Sequence, residues 1–405
     1  MANTYLTPLI VTREAARRTL NHLVFAAYTD RSWSKQWKGK WDAKIGASAA
    51  IRIPTKYVGG AGPALDIEDS IETSVPLTIG FYRNVHLNFD SSAFSLDIDD
   101  FSERYLASAC AQLANTMDSD VASLYKTVFN VVGTPGTVPT STDTYLGVST
   151  LLDNNGAPMI DEERVMITSS LMQQKIWPAL AGLFNEQKTV GRQFTLGHLM
   201  TGREALGLMW QKAQNTAVAT IGVYSGTPLV NGANQVGTLI ATDGWTAGAI
   251  LNQGDIVYFD GVFAVNPMSR VTTTALAGFV VTATTTADVG GVMNIPISQP
   301  LTTVGAYQTV TNSPLNNAPI TVYGASGQVT TQGLAFHREA FALVSIPLPE
   351  PGGVDMVKTV TDEMSGISIR IIRAYDPQTD GLVTRLDTLY GLGPIRPEWA
   401  VRVAA

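Results

Sequence analysis

Between Ala213 and Phe336 the sequence carries only five charged side chains, Asp243, Asp255, Asp260, Arg270 and Asp288, amid repeated Thr, Val and Gly. So long and so sparsely charged a stretch has to bury its apolar residues either in a membrane or in a β-rich core. No run approaches the ~18 consecutive apolar residues that a membrane helix needs. Short apolar runs such as Asp255-Ile256-Val257-Tyr258-Phe259 and Gly278-Phe279-Val280-Val281-Thr282 alternate instead with Gly and Asn turns, the pattern of a β-barrel or sandwich. Mixed α/β character resumes near Leu334, so the segment reads as a domain inserted into another. The chain has 405 residues, more than the roughly 250–300 that a single core sustains, and several folding units are expected. Only 15% of the residues are charged, against roughly 25% in ordinary soluble domains, so much of the surface is expected to be covered by other subunits.

What charge there is falls unevenly. Residues 1–60 hold ten Lys/Arg against Glu14, Asp30 and Asp42, whereas residues 61–130 hold eleven carboxylates against Arg83, Arg104 and Lys126. Opposite charge on neighbouring segments supplies register and specificity, within one subunit or between two. The acidic run Asp66, Glu68, Asp69 and Glu72 is accordingly a candidate for docking on a neighbour's basic surface. The net charge of −7 argues against sequence-specific DNA binding, which draws its affinity from basic patches. The N-terminus lacks the pattern of a secretory signal and Cys110 is the single cysteine, both in keeping with a reducing cytoplasm.

Local patterns place the elements. A helix is expected from Thr12 as cap to Leu23, with Arg13, Arg17 and Arg18 on a basic face. Trp33, Trp37 and Trp41 follow at four-residue spacing, as in core or subunit packing. The run Ile79 to Phe89 alternates apolar and polar side chains, the signature of a half-buried strand. With the strand-like Ile51-Arg52-Ile53-Pro54-Thr55-Lys56-Tyr57 and the Gly-rich link Val58-Gly59-Gly60-Ala61-Gly62-Pro63, it reads as an extended hairpin. Asp100 and Glu103 suggest a capping box for a long amphipathic helix from Ser102 to Phe129, carrying Leu106, Leu113, Met117, Val121, Leu124 and Val128 on one face and ended by Gly133-Thr134-Pro135-Gly136. Val165-Met166-Ile167 is strand-like. Ser170 to Phe184, with Pro178, and Arg203 to Ala213 read as helices.

No catalytic constellation is apparent. His22, His86, His198 and His337 are scattered, without metal-ligand spacing. Asp97, Asp99 and Asp100 immediately precede a helix, where carboxylates serve as caps and dipole partners. Asp255 and Asp260 lie beside glycines, which marks them as turn residues; as a pair they are the one carboxylate arrangement a hydrolase could use. Cys110 falls inside the amphipathic helix and reads as a small apolar residue. No metal or cofactor is expected.

The order of parts is a basic arm, a long hairpin, a spine-length helix and a mixed core interrupted by a β-rich insertion. With it go three local stretches: Met1-Ala2-Asn3-Thr4-Tyr5-Leu6-Thr7-Pro8, Gly254-Asp255-Ile256 through Gly261-Val262, and Leu389-Tyr390-Gly391 with Arg396-Pro397-Glu398. Together they resemble the coat proteins of short-tailed phages, which have the Hong Kong 97-type capsid fold with an inserted β-barrel domain. The resemblance implies an α+β chain: N-arm 1–45, extended loop 46–90, peripheral domain with spine helix 91–150, axial domain 151–225, inserted β-barrel 226–335, and the axial remainder with peripheral sheet 336–405. It implies a non-enzymatic major capsid protein, assembled in the host cytoplasm and resident in the virion, whose partners are its own copies in pentamers and hexamers, a scaffolding protein, a portal protein, nonspecifically packaged DNA and a decoration protein, and no membrane. Arg13, Arg17 and Arg18 would meet the scaffold or a neighbour. Lys56 is the only lysine of the loop available for the covalent crosslinks some members form. The alternative is a tail or adhesin-type protein whose β-rich half binds carbohydrate.

Overall fold

The computed structural model describes residues 8–33, 46–59, 69, 71–90, 107–159, 163–181, 204–362, 366–376 and 381–405, arranged in two compact units and built as an α+β fold. The first unit gathers Met1–Ile51, Ser74–Val121 and Phe341–Ile395. Its sheet runs in the order Ser48–Ile53, Thr73–Asp90, Gly381–Pro394, Ser368–Asp376 and Met356–Thr361. The strand Gly381–Pro394 is central because it is long enough to take two partners on one side. Residues up to Asp387 pair with Ser368–Asp376, while Leu389 to Pro394 pair with Phe341–Ile346. On its other side lies Thr73–Asp90, where the alternation seen in the sequence puts Leu77 and Ile79 into the core. They pack there with Ile51, Val344, Ile346 and Leu389, and the half-buried Trp33 joins them. Trp37 and Trp41 lie outside the described residues.

The pairing skips one residue between Ile79–Gly391 and Phe81–Tyr390, leaving Gly80 as a bulge. Gly391 sits where the strands approach most closely: a Cβ on it would come within 2.8 Å of the Thr78 carbonyl oxygen. Only glycine fits without moving backbone.

Helix α1, Pro8–His22, begins with proline at its first position, where a missing N–H costs nothing. Thr12 is therefore not the cap that the sequence suggested; it is buried on the inner face one turn before Ala15 and Ala16 and two before Thr19, and the helix lies on the strands Met356–Thr361 and Ser368–Asp376. Helix α2, Ala107–Ala122, buries Cys110, Leu113, Ala114, Met117 and Val121, the 3- and 4-residue spacing of one helical face. Its 16 described residues span about 24 Å at 1.5 Å per residue. It ends sooner than the expected Phe129, passing through a 3-10 turn at Ser123–Thr127 into the strand Val131–Gly133, so Gly133 to Gly136 turn a strand rather than stop a helix. The expected cap at Asp100 and Glu103 lies outside the described residues, as do Leu106 and the aspartates at 97 and 99.

The second unit gathers Arg52–Thr73, Ala122–Ala340 and Arg396–Ala405. Its mixed sheet has the order Val131–Gly133, Ala400–Ala404, Val329–His337, Arg164–Thr168, Leu208–Lys212 and Glu204–Ala205, with helices α3 (Thr142–Asn154) and α4 (Ser170–Ala181) in the same unit. Pro178 falls inside α4. The helix expected from Arg203 to Ala213 is instead a hairpin. Leu206 and Gly207 both take left-handed backbone, at φ 57° and 73°, which makes the two-residue turn that joins antiparallel strands. Leu208 and Trp210 then point alternately inward, Trp210 against Tyr145 of α3.

Val329–His337 also pairs with Ala217–Thr220, so the chain leaves the sheet on one strand and returns on its neighbour. Between them, Gly237–Trp245 is flanked by Gly226–Val230 and Met293–Leu301, and Ile256–Val265 by Thr272–Val280 and Ile320–Val322, with a short Ile250–Leu251 and Thr285–Thr286 pair. These three small sheets enclose one apolar core that includes Val257, Phe259, Phe279, Ile240 and Ile295. Replacing Gly391 by Ala should destabilise the first unit by about 1–3 kcal/mol, because backbone must shift to admit the methyl group; urea denaturation is expected to show a lower midpoint at unchanged slope.

Candidate assembly surfaces

The charged residues of α1 are placed by its buried face. Arg13 and Arg17 project outward while Arg18 is half-buried. Glu14 accepts from Arg17 at 2.8 and 2.9 Å and from Arg18 at 2.8 Å, and the Arg17 hydrogen bond in particular holds its carboxyl down at about 2. Two of the three expected contact arginines thus share a carboxylate on their own helix, leaving Arg13 and the flank of Arg17 to solvent. In the loop, Asp69 is exposed, and Glu72 lies 3.1 Å from Arg52 with both side chains largely in solvent. Such a pair is worth under about 1 kcal/mol and is easily exchanged for another partner. Asp66 and Glu68 lie outside the described residues.

Buried charge does a different job. Asp118 of α2 accepts the Val24 and Ala26 amides at 2.7 and 3.0 Å, tying the chain after α1 to that helix, and burial pushes its carboxyl up to about 6. Asp120 accepts two hydrogen bonds from Arg83 at 2.7 and 2.8 Å and one from the Tyr390 hydroxyl at 2.5 Å. Those bonds hold the Arg83 guanidinium in its charged form, and burial keeps Tyr390 neutral. Asp387, fully buried in the sheet, takes Arg370 at 2.6 Å and Arg385 at 2.5 Å, and both arginines also reach the Tyr82 hydroxyl. In the second unit Arg402 is enclosed, donating to the Val128 and Gly254 carbonyls at 2.8 Å each beside the Tyr125 ring; burial lowers it to about 10.

The residues weighed as catalytic are not brought together. Asp255 is a turn residue, though not of a hairpin: its amide donates to the Asn252 carbonyl at 3.1 Å just before the Ile256–Val265 strand, and its buried carboxylate accepts the Gly222 and Asn252 amides at 2.9 and 2.8 Å, burial raising its carboxyl. Asp260 stands exposed within that strand. His337 is buried with Nε2 3.0 Å from Glu163, and burial favours its neutral form; His86 is exposed, the His22 side chain is not described, and His198 lies outside the described residues. Burial likewise raises the Cys110 thiol. No group of three potential metal ligands exists among the described residues. The sequence reading missed Asp118, Asp120, Asp387 and Arg402. For Arg402 a signal was present, a lone cation inside the apolar pentad Ala400–Ala404.

The fold is α+β, with its buried ions committed to backbone groups and to each other. Residues 196–403 match the family model described as P22 coat protein, gene protein 5; that is just over half of the chain, and the chain belongs to this family. It is a major capsid protein, a virion component that forms the shell. Comparison with curated proteins gives no match. Among solved structures it is similar to the capsid of Ralstonia phage GP4, at 7% identity and TM-score 0.46 over 94% of this chain and 88% of that one. Mycobacterium phage Che8 gives 12% identity and 0.44 over 94% and 90%, and the capsid structure of the cyanophage P-SCSP1u gives 13% and 0.41 over 88% and 83%.

The Asp118 carboxyl has a folded-state value near 6 against about 3.9 when unfolded. Protonation therefore favours the fold: the contribution is fully present below about pH 4 and lost as pH rises through about 6, an effect on the order of 1–3 kcal/mol. The unfolding free energy of the wild type relative to Asp118→Asn should accordingly rise as pH falls from 7 to 4. A difference that does not change with pH would contradict the assignment.

Proposed function

We propose that the chain tiles an icosahedral shell in the Hong Kong 97 manner, as pentamers and hexamers enclosing double-stranded DNA, and that it has no catalytic role. The family match across residues 196–403 carries this reading. In it, 1–45 is the N-arm, 46–90 the extended loop, 91–150 the peripheral domain, 226–335 the inserted barrel, and 151–225 with 336–405 the axial domain and peripheral sheet. Assembly takes place in the host cytoplasm on a scaffolding protein, with a portal at one vertex and a site for a decoration protein.

The outer charges supply the contacts. Arg13 and the exposed flank of Arg17 meet the scaffold or a neighbouring subunit, and Asp66, Glu68, Asp69 and Glu72 dock on a neighbour's basic surface. The weak, exposed pairing of Glu72 with Arg52 supports this, because such a pair is readily traded for an intersubunit one.

Co-expression with the neighbouring reading frames, followed by negative-stain microscopy, should give polyhedral shells; trimeric fibres would favour the tail-protein reading instead. Neutralising Asp66, Glu68, Asp69 and Glu72 together should lower shell yield and weaken its dependence on salt. Unchanged yield and salt dependence would remove the docking role.

A further inference from the structure

The connection between the strands Ser48–Ile53 and Thr73–Asp90 is bracketed by residues of the first unit, yet Arg52–Thr73 belongs to the second. Two side chains of the inserted module reach this connection. Arg270 donates from Nη2 to the Tyr57 carbonyl at 2.5 Å and from Nη1 to the Val58 carbonyl at 3.4 Å. Tyr307 donates its hydroxyl to the Ile71 carbonyl at 2.7 Å. One grips the outgoing stem of the connection and the other its returning stem.

Both gripping residues sit on turns that the module closes for itself. Asn266 accepts on its side-chain oxygen from the Met268 and Ser269 amides at 2.9 and 3.0 Å, and its carbonyl takes the Arg270 amide at 2.8 Å. The Val271 carbonyl receives the Asn266 amide at 2.9 Å, completing the turn. The Asn266 side-chain amide also donates to Asn154 at the end of α3 at 3.0 Å. Arg270 itself is held at φ 57°, left-handed backbone that a long side chain adopts only when its surroundings impose it. Tyr307 lies in the loop that Thr302 and Thr309 close through backbone and hydroxyl bonds. Arg270 and Tyr307 are half-buried and lie outside the module's apolar core. Their hydrogen bonds go to main-chain carbonyls, which any loop sequence presents, so the grip fixes position and is indifferent to the loop's side chains.

We infer that the inserted module holds the connection between Ser48–Ile53 and Thr73–Asp90 by its two stems, through Arg270 and Tyr307, and thereby fixes where the loop emerges from the subunit. Its consequence for assembly rests on the shell reading above: a loop that overlaps a neighbour from a fixed emergence point gives shells of one size, and a loosened loop gives several.

The test compares full-length wild type with Arg270→Ala, Tyr307→Phe and the double variant. Hydrogen–deuterium exchange on the unassembled subunit should be about tenfold faster in the double variant over residues 54–59 and 71–75, while the module's own strands and the thermal midpoint stay as in wild type. Microscopy of the co-expressed particles should then find mixed diameters. Unchanged exchange in the stems overturns the grip. Faster stems with shells of a single size overturn its role in assembly. Tyr307→Phe removes one hydroxyl only, so it reads the returning stem even if Arg270→Ala fails to fold. Absence of shells from wild type overturns the shell reading alone, since the exchange comparison still decides the grip.

Discussion

The carboxylate of Asp120 is shared by three elements. It belongs to α2, it accepts from Nε and Nη2 of Arg83 on the long strand Thr73–Asp90, and it accepts from the Tyr390 hydroxyl on the central strand Gly381–Pro394. Two residues earlier on the same helix, Asp118 holds the amides of the chain that follows α1. One short stretch of helix therefore ties together the chain after α1, the long strand Thr73–Asp90 and the central strand. Charge-assisted bonds of this kind are shorter and stronger than neutral ones, and in a half-buried site they lose little to competing water. The stacked rings of Phe81 and Tyr390, centroids 5.6 Å apart, lie beside the same junction and keep the two strands in register across the bulge at Gly80.

The second unit uses the same physics with the signs exchanged. Arg402, enclosed in the strand Ala400–Ala404, reaches one carbonyl just after the 3-10 turn and another, Gly254, just before the module strand Ile256–Val265. Asp255 performs the matching task for amides on the module's side. In a chain with so few charges, several of those inside take backbone amides or carbonyls as partners, while those on α1 and near Glu72 lie at the surface.

Much of this was legible because one physical signal dominated. The spacing of Leu113, Met117 and Val121 reflects burial of a single helical face, and the alternation that begins at Ile79 marks a strand, although the bulge at Gly80 sends Ile79 to one side of the sheet and Val85 and Leu87 to the other. The charge-poor stretch announced a β-rich module for the same reason. The segment from Arg203 failed because its apolar residues satisfy helical spacing as well as alternation, and only the left-handed pair Leu206-Gly207 decides between them. Helix α3 escaped notice because its few charges and many Ser and Thr residues give it a weak pattern, although Ser141 caps it by accepting the Asp143 amide. Buried ions such as Asp118 and Asp387 are invisible to periodicity, which reads apolar faces only; the partners of Asp118 moreover lie more than ninety residues away along the chain. Of the proposed contact residues, the sequence identified the exposed set around Arg13 and Glu72 but not that Glu14 and Arg52 already engage part of it.

The junction at Asp120 is tested most directly by a double-mutant cycle with Arg83→Ala and Asp120→Ala, measured by urea denaturation of the unassembled subunit. If the pair anchors the long strand to α2, the coupling energy should be about 1–3 kcal/mol, as for hydrogen-bonded ions shielded from water. Additive single effects, with coupling indistinguishable from zero, would contradict the claim that this carboxylate holds the first unit together.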